Sequence, residues 1–109
     1  MPAVDIYENG KQELVLKAEL PDMKREDIAV VFENNTLTLK GERKFAGEVK
    51  QEQFHRVERA YGTFSRSFSL PPTVDPTRIA AEYKNGVLTV TLPFREESRP
   101  RTINVEVAA

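Results

Sequence analysis

The stretch YKNGVLTVTLP, residues 83–93, constrains the fold of this chain more than any other. Asn85 and Gly86 both tolerate positive φ, which the two central residues of a tight hairpin turn require. Beyond them Leu88, Val90 and Leu92 share one parity, and Val87, Thr89 and Thr91 share the other. A period of two belongs to a β-strand, whose alternate side chains point to opposite faces. A chain with this hairpin must supply a sheet in which one face can be buried.

The rest of the sequence repeats the theme. Val4 and Ile6 alternate before a turn at Asn9-Gly10. Leu14, Leu16, Ala18 and Leu20 share a face up to Pro21. Ile28, Val30 and Phe32 precede a second turn at Asn34-Asn35, and Leu37 and Leu39 lead to Gly41. Phe64, Phe68 and Leu70 form another run, with Arg66 on the same parity. Ile79, Ala81 and Tyr83 lead into the hairpin. Each run has strand length, and Asn, Gly or Pro bounds most of them. DMKREDI has room for one turn of helix at most, and no segment keeps a helical period for long. Seven or more short strands in 109 residues predict an all-β chain folded as a sandwich.

Two segments stand outside this ladder. FAGEVKQEQFHRVE, residues 45–58, is polar, with Val49, Phe54 and Val57 as its apolar points. A loop of this length in a small domain is unusual and often functional. The second is the end of the chain. The charged run REESRPR is expected to be solvated, yet Ile103, Val105 and Val107 follow it with a strand's alternation. Read from the residues alone, they would form a last strand of the same domain. Pro100 and the charges argue against a tight hairpin.

Composition closes several functional classes. Charged residues make up 30% of the chain but nearly cancel, leaving a formal charge of −1. The basic footprint of a nucleic-acid or membrane-surface binder is therefore missing. ERAYGTFSRSF is basic and aromatic, but its alternation reads more simply as core phenylalanines flanking an arginine. There is no cysteine, so disulfides, thiolate metal sites and thiol nucleophiles are excluded. The single histidine, His55, has no nucleophile elbow to serve and reads as a loop or interface residue. No glycine-rich loop could cradle a phosphate. No catalytic residue, metal or cofactor is expected. Without an apolar leader or a membrane-length apolar run, the expectation is a soluble, cytoplasmic protein.

Arg66 shares a parity with Phe64 and Phe68. A half-buried guanidinium needs a partner, so the position reads either as an interfacial ion pair or as a kinked strand that leaves the cation in water.

Taken together, AELPDMKREDIAVVFENNTLTLKGER, YGTFSRSFSLPPTVDPTRIAAEYKNG and GVLTVTLP resemble the α-crystallin domain of small heat-shock proteins, in the bacterial and plant branch. The resemblance covers about Val4 to Pro93. It implies an immunoglobulin-like sandwich of two antiparallel sheets. It also implies that the long loop carries a strand exchanged between the two subunits of a dimer. The exchanged piece would lie within Val49–Val57, with Phe54 and His55 in it, and Arg66 would sit at the same interface. If His55 lies at that contact, protonation below about pH 6.5 would loosen the dimer.

The resemblance further implies a C-terminal I-x-V motif, here Ile103 and Val105, that docks by strand addition. The corresponding groove positions are Val30, Phe32, Thr77, Ile79 and Ala81, any of which could instead be plain core. Val105 and Val107 offer a shifted register. Residues 1–3 read as the remnant of an N-terminal arm, 4–94 as the domain and 95–109 as a C-terminal extension. The implied activity is that of a holdase, which binds unfolding proteins without ATP. Its partners would be a second copy of the chain, higher oligomers through the tail, and unfolding clients. The alternative is a co-chaperone or adaptor sandwich that binds one folded partner.

Overall fold

The computed structural model describes residues 2–43 and 62–108. Val49, Phe54, His55 and Val57 lie outside the described residues. Among the described residues there are seven strands: β1 (Val4–Glu8), β2 (Glu13–Glu19), β3 (Ile28–Glu33), β4 (Thr36–Arg43), β5 (Gly62–Ser69), β6 (Ala80–Lys84) and β7 (Val87–Pro93). They form two antiparallel sheets, ordered β1-β2-β7-β6 and β3-β4-β5. DMKREDI gives a single 3-10 turn at Arg25–Asp27.

The turns follow from the residues that make them. Asn34 and Asn35 have φ of 51° and 57°, and Asn85 and Gly86 have 54° and 77°. Both pairs therefore close hairpins whose twist suits the flanking strands. The first turn works differently. The Asn9 side-chain oxygen accepts from the amides of Lys11 at 2.9 Å and Glu13 at 3.2 Å. Gln12, not Gly10, takes the positive φ, of 61°.

β2 and β7 run side by side with Leu14 opposite Leu92, Leu16 opposite Val90 and Ala18 opposite Leu88. All six are buried, as are Leu37 and Leu39 from β4 in the facing sheet. Met23, Leu70 and Val74 close the core, which holds no buried polar residue among those described. Fully burying a leucine or valine is worth about 1.5–3 kcal/mol, so these strands carry most of the stability. Gly41 is needed where it is: a Cβ there would lie 2.5 Å from the Phe64 ring.

The outer face of the three-stranded sheet has another character. Opposite one another stand Thr36 and Ser69, Thr38 and Ser67, Lys40 and Ser65, Glu42 and Thr63. The hydroxyls of Thr38 and Ser67 are 3.0 Å apart and hydrogen-bonded. Along β4 and β5 most of this face is small hydroxyl groups, whereas β3 adds Ala29, Glu33 and the exposed Val31.

Candidate functional site

The two sheets do not close into a barrel, so the sandwich has two open edges. Arg66, on β5, donates from Nη1 to the carbonyl of Pro2 at 3.2 Å, just ahead of β1. That contact puts β5 and β1 at the same edge. Given the strand orders, β3 and β6 must face each other across the opposite edge.

Inward residues follow from the register. On β3, Ile28, Val30 and Phe32 pair with Gly41, Leu39 and Leu37 and share their inward face. On β6, Ala81 pairs with Val90 and Tyr83 with Leu88. Ile79, just before β6, also packs on the core. Yet none of these six is fully buried, and Ala81 is exposed although its partner Val90 is completely covered. An inward alanine that still meets solvent means the sheets part at this edge. The result is an apolar slot with a notch at Ala81, flanked by two strand edges without a further strand partner among the described residues. Such an edge can accept another strand.

The slot's walls are held firmly. The Tyr83 hydroxyl donates to the carbonyl of Leu20, and the Leu20 amide donates to Gly86 at 2.7 Å, so β6 is tied to the end of β2. Asp75 fixes the approach to β6 by accepting from the hydroxyl of Thr77 at 2.7 Å and its amide at 3.0 Å. These bonds, with Arg78 and Arg95 nearby, hold its carboxyl below the usual carboxylate range. Among the groove positions read from sequence, Val30, Phe32 and Ile79 are half-buried walls and Ala81 is the notch. Thr77 is exposed and engaged by Asp75. Tyr83 and Ile28 belong to the same walls, and their parity with the other wall residues was the signal for them.

The charged run is only partly a free leash. Phe94 bridges to Val74, the Arg95 amide donates to Thr73 at 2.6 Å, and a 3-10 turn spans Glu96–Ser98. Arg99 Nε donates back to the Phe94 carbonyl at 3.2 Å. From Arg101 the described chain has no secondary structure. Ile103, Val105 and Val107 are 82%, 89% and 93% exposed, so the tail is not a last strand of its own domain.

At the other edge, Ile6 and Tyr7 of β1 are 41% and 43% exposed. Arg66 is half-buried, opposite Leu39 in the β4–β5 register, with its guanidinium 4.9 Å from the centroid of the Phe68 ring. It is therefore neither in free solvent nor on a kinked strand: a backbone carbonyl and an aromatic face receive it. Among the described residues no group of three or more histidine, cysteine or acidic side chains could hold a metal ion, and no helix is long and apolar enough to cross a membrane.

Comparison with known proteins gives a consistent picture. A family model described as the Hsp20/alpha crystallin family matches residues 6–107. The spore protein SP21 of Stigmatella aurantiaca is 39% identical over 105 residues, covering 96% of this chain and 62% of that protein. A 17.8 kDa class I heat shock protein of Arabidopsis thaliana is 47% identical over 88 residues, covering 80% of this chain and 56% of that protein. The chain thus spans somewhat less than two thirds of these relatives. Among solved structures, a small heat-shock protein from Xylella fastidiosa superposes with a TM-score of 0.81 at 40% identity, covering 98% of this chain and 97% of that one. Heat shock protein 16.0 from Schizosaccharomyces pombe gives a TM-score of 0.77 at 36% identity, covering 96% and 97%.

Proposed function

The chain belongs to the Hsp20/alpha crystallin family, and from that premise we propose that it is an ATP-independent holdase acting as a dimer. The observation that carries this reading is the slot between β3 and β6. Its inward apolar residues remain partly exposed, and its strand edges are open. An unfolding chain offers extended apolar segments and unpaired backbone, and both needs are met there. Once held, such a segment cannot pair with another unfolding chain. The relatives' names do not favour the adaptor alternative.

The tail of a neighbouring copy is the slot's resident ligand in this reading, with Ile103 and Val105 as its knobs. Clients then compete with a segment that is tethered and reversible. The opposite edge serves dimerisation. β1 has no outer strand partner among the described residues and exposes Ile6 and Tyr7. A strand from residues 49–57 of a second copy can pair there, beside Arg66.

The test is light scattering of a heat-labile enzyme warmed with the protein and no nucleotide. Scattering is expected to fall as the protein reaches molar parity, and Ala81→Leu, which fills the notch, is expected to blunt the effect. Undiminished scattering at several-fold molar excess would overturn the reading.

A further inference from the structure

The tail carries one more apolar residue than an I-x-V motif uses. Val107 continues the alternation of Ile103 and Val105 and is the most exposed of the three, at 93%. Nothing in the described fold pairs with it. The slot repeats the same count. Its β3 wall steps through Ile28, Val30 and Phe32, and its β6 wall through Ile79, Ala81 and Tyr83. Same-face residues on a strand are about 6.7 Å apart, so three tail residues and three wall steps share one repeat.

Register is quantised by this geometry. A slip of one residue would turn Asn104 and Glu106 into the apolar slot and expose every knob. Burying a carboxylate there without a partner is strongly unfavourable. A slip of two keeps apolar residues inward but leaves one knob outside. Only the full register seats all three.

Resting on the docking reading above, we infer that the tail binds as a three-knob strand, I-x-V-x-V, in the slot of a neighbouring copy. Val107 fills the last step. Val105 is the centre of the contact, because it stays seated in either two-knob register. The two outer knobs are alternatives to one another when one is lost.

The tail is exposed and unpaired, so changes in it leave folding of the domain intact. The experiment is sedimentation equilibrium on the full chain and on Ile103→Ser, Val105→Ser and Val107→Ser. It reads the concentration at which half the protein is in species larger than a dimer. Val107→Ser and Ile103→Ser are each expected to raise that concentration about tenfold, and Val105→Ser substantially more. Val107→Ser matching the parent chain, with Ile103→Ser as damaging as Val105→Ser, would overturn the third knob and leave two-knob docking standing. Ile103→Ser matching the parent would overturn it in favour of the shifted pair alone. A chain that never exceeds a dimer, or three variants that all match the parent, would sink the docking reading itself.

Discussion

Strand β7 and the tail are written in nearly the same pattern and meet opposite fates. Leu88, Val90 and Leu92 are at most 3% exposed, whereas Ile103, Val105 and Val107 are at least 82% exposed. Both alternate apolar and polar residues, and both have the propensity of a strand. The difference is the neighbours. β7 lies between β2 and β6 and faces β4, so its apolar parity is covered from every side. The tail leaves a fixed root at Arg95–Arg99 and has no strand beside it. Alternation therefore declares which side of a segment needs burial, and says nothing about which molecule supplies the cover.

The sharpest way to break the contrast is to damage β7. Leu92→Ala removes a fully buried side chain from a packed core and is expected to cost about 2–5 kcal/mol in urea unfolding. A loss under about 1 kcal/mol would mean the core collapses around the gap. Next comes Gly41→Ala, whose new Cβ meets Phe64 and the Met23 side chain. Displacing the ring is expected to cost about 1–3 kcal/mol by the same measurement. Gly86→Ala should cost about 1–2 kcal/mol, because its φ of +77° disfavours a side chain and Pro21 stands 3.3 Å from the new atom.

A pH titration tests the wall approach. Asp75 has a lowered carboxyl pKa in the fold, so its contribution is present above the unfolded value of about 3.9 and is lost as pH falls through the lower folded value. Asp75 is only half-buried, so Asp75→Asn should flatten the acid limb of stability only slightly and leave pH 7 behaviour nearly unchanged. The smallest effect closes the series. Val105→Ser, equal in polarity change to a ruinous substitution in β7, is expected to leave the unfolding free energy of the domain within about 0.5 kcal/mol. A larger change at concentrations where only dimers exist would mean the tail stabilises its own domain after all.

Most of the fold was legible from parity and turn residues. The faces of β2, β4 and β7 and both Asn-bounded hairpins could be read directly, because local chemistry and global burial agree there. What was hidden depended on other elements. Ala81 has core parity, and only the gap between sheets leaves it open. Arg66 demanded a partner, but the carbonyl of Pro2 has no signature, since every residue carries one. Asn9 was legible as a turn, while its side-chain bonds shifted the strained position to Gln12. REESRPR looked like leash, yet half of it is pinned by a bond from the Arg95 amide to the Thr73 carbonyl and one from the Arg99 side chain to the Phe94 carbonyl. Residues 49–57, proposed to carry an exchanged strand, lie outside the described residues.

The hydroxyl lattice on the outer face of β4 and β5 bears on growth of any assembly. In the language of colloids, the proposed docking edges would make this a patchy particle. A sphere adhesive all over gels or precipitates as soon as attraction is strong enough. A particle that sticks only along two rims and one arm has a finite valence, and each bond it makes uses up a direction. Thr36, Thr38, Ser65, Ser67 and Ser69 make the β4–β5 part of this flank polar and small. On the proposed docking reading, bound neighbours would be steered to the rims, and growth would stop when those few directions are satisfied.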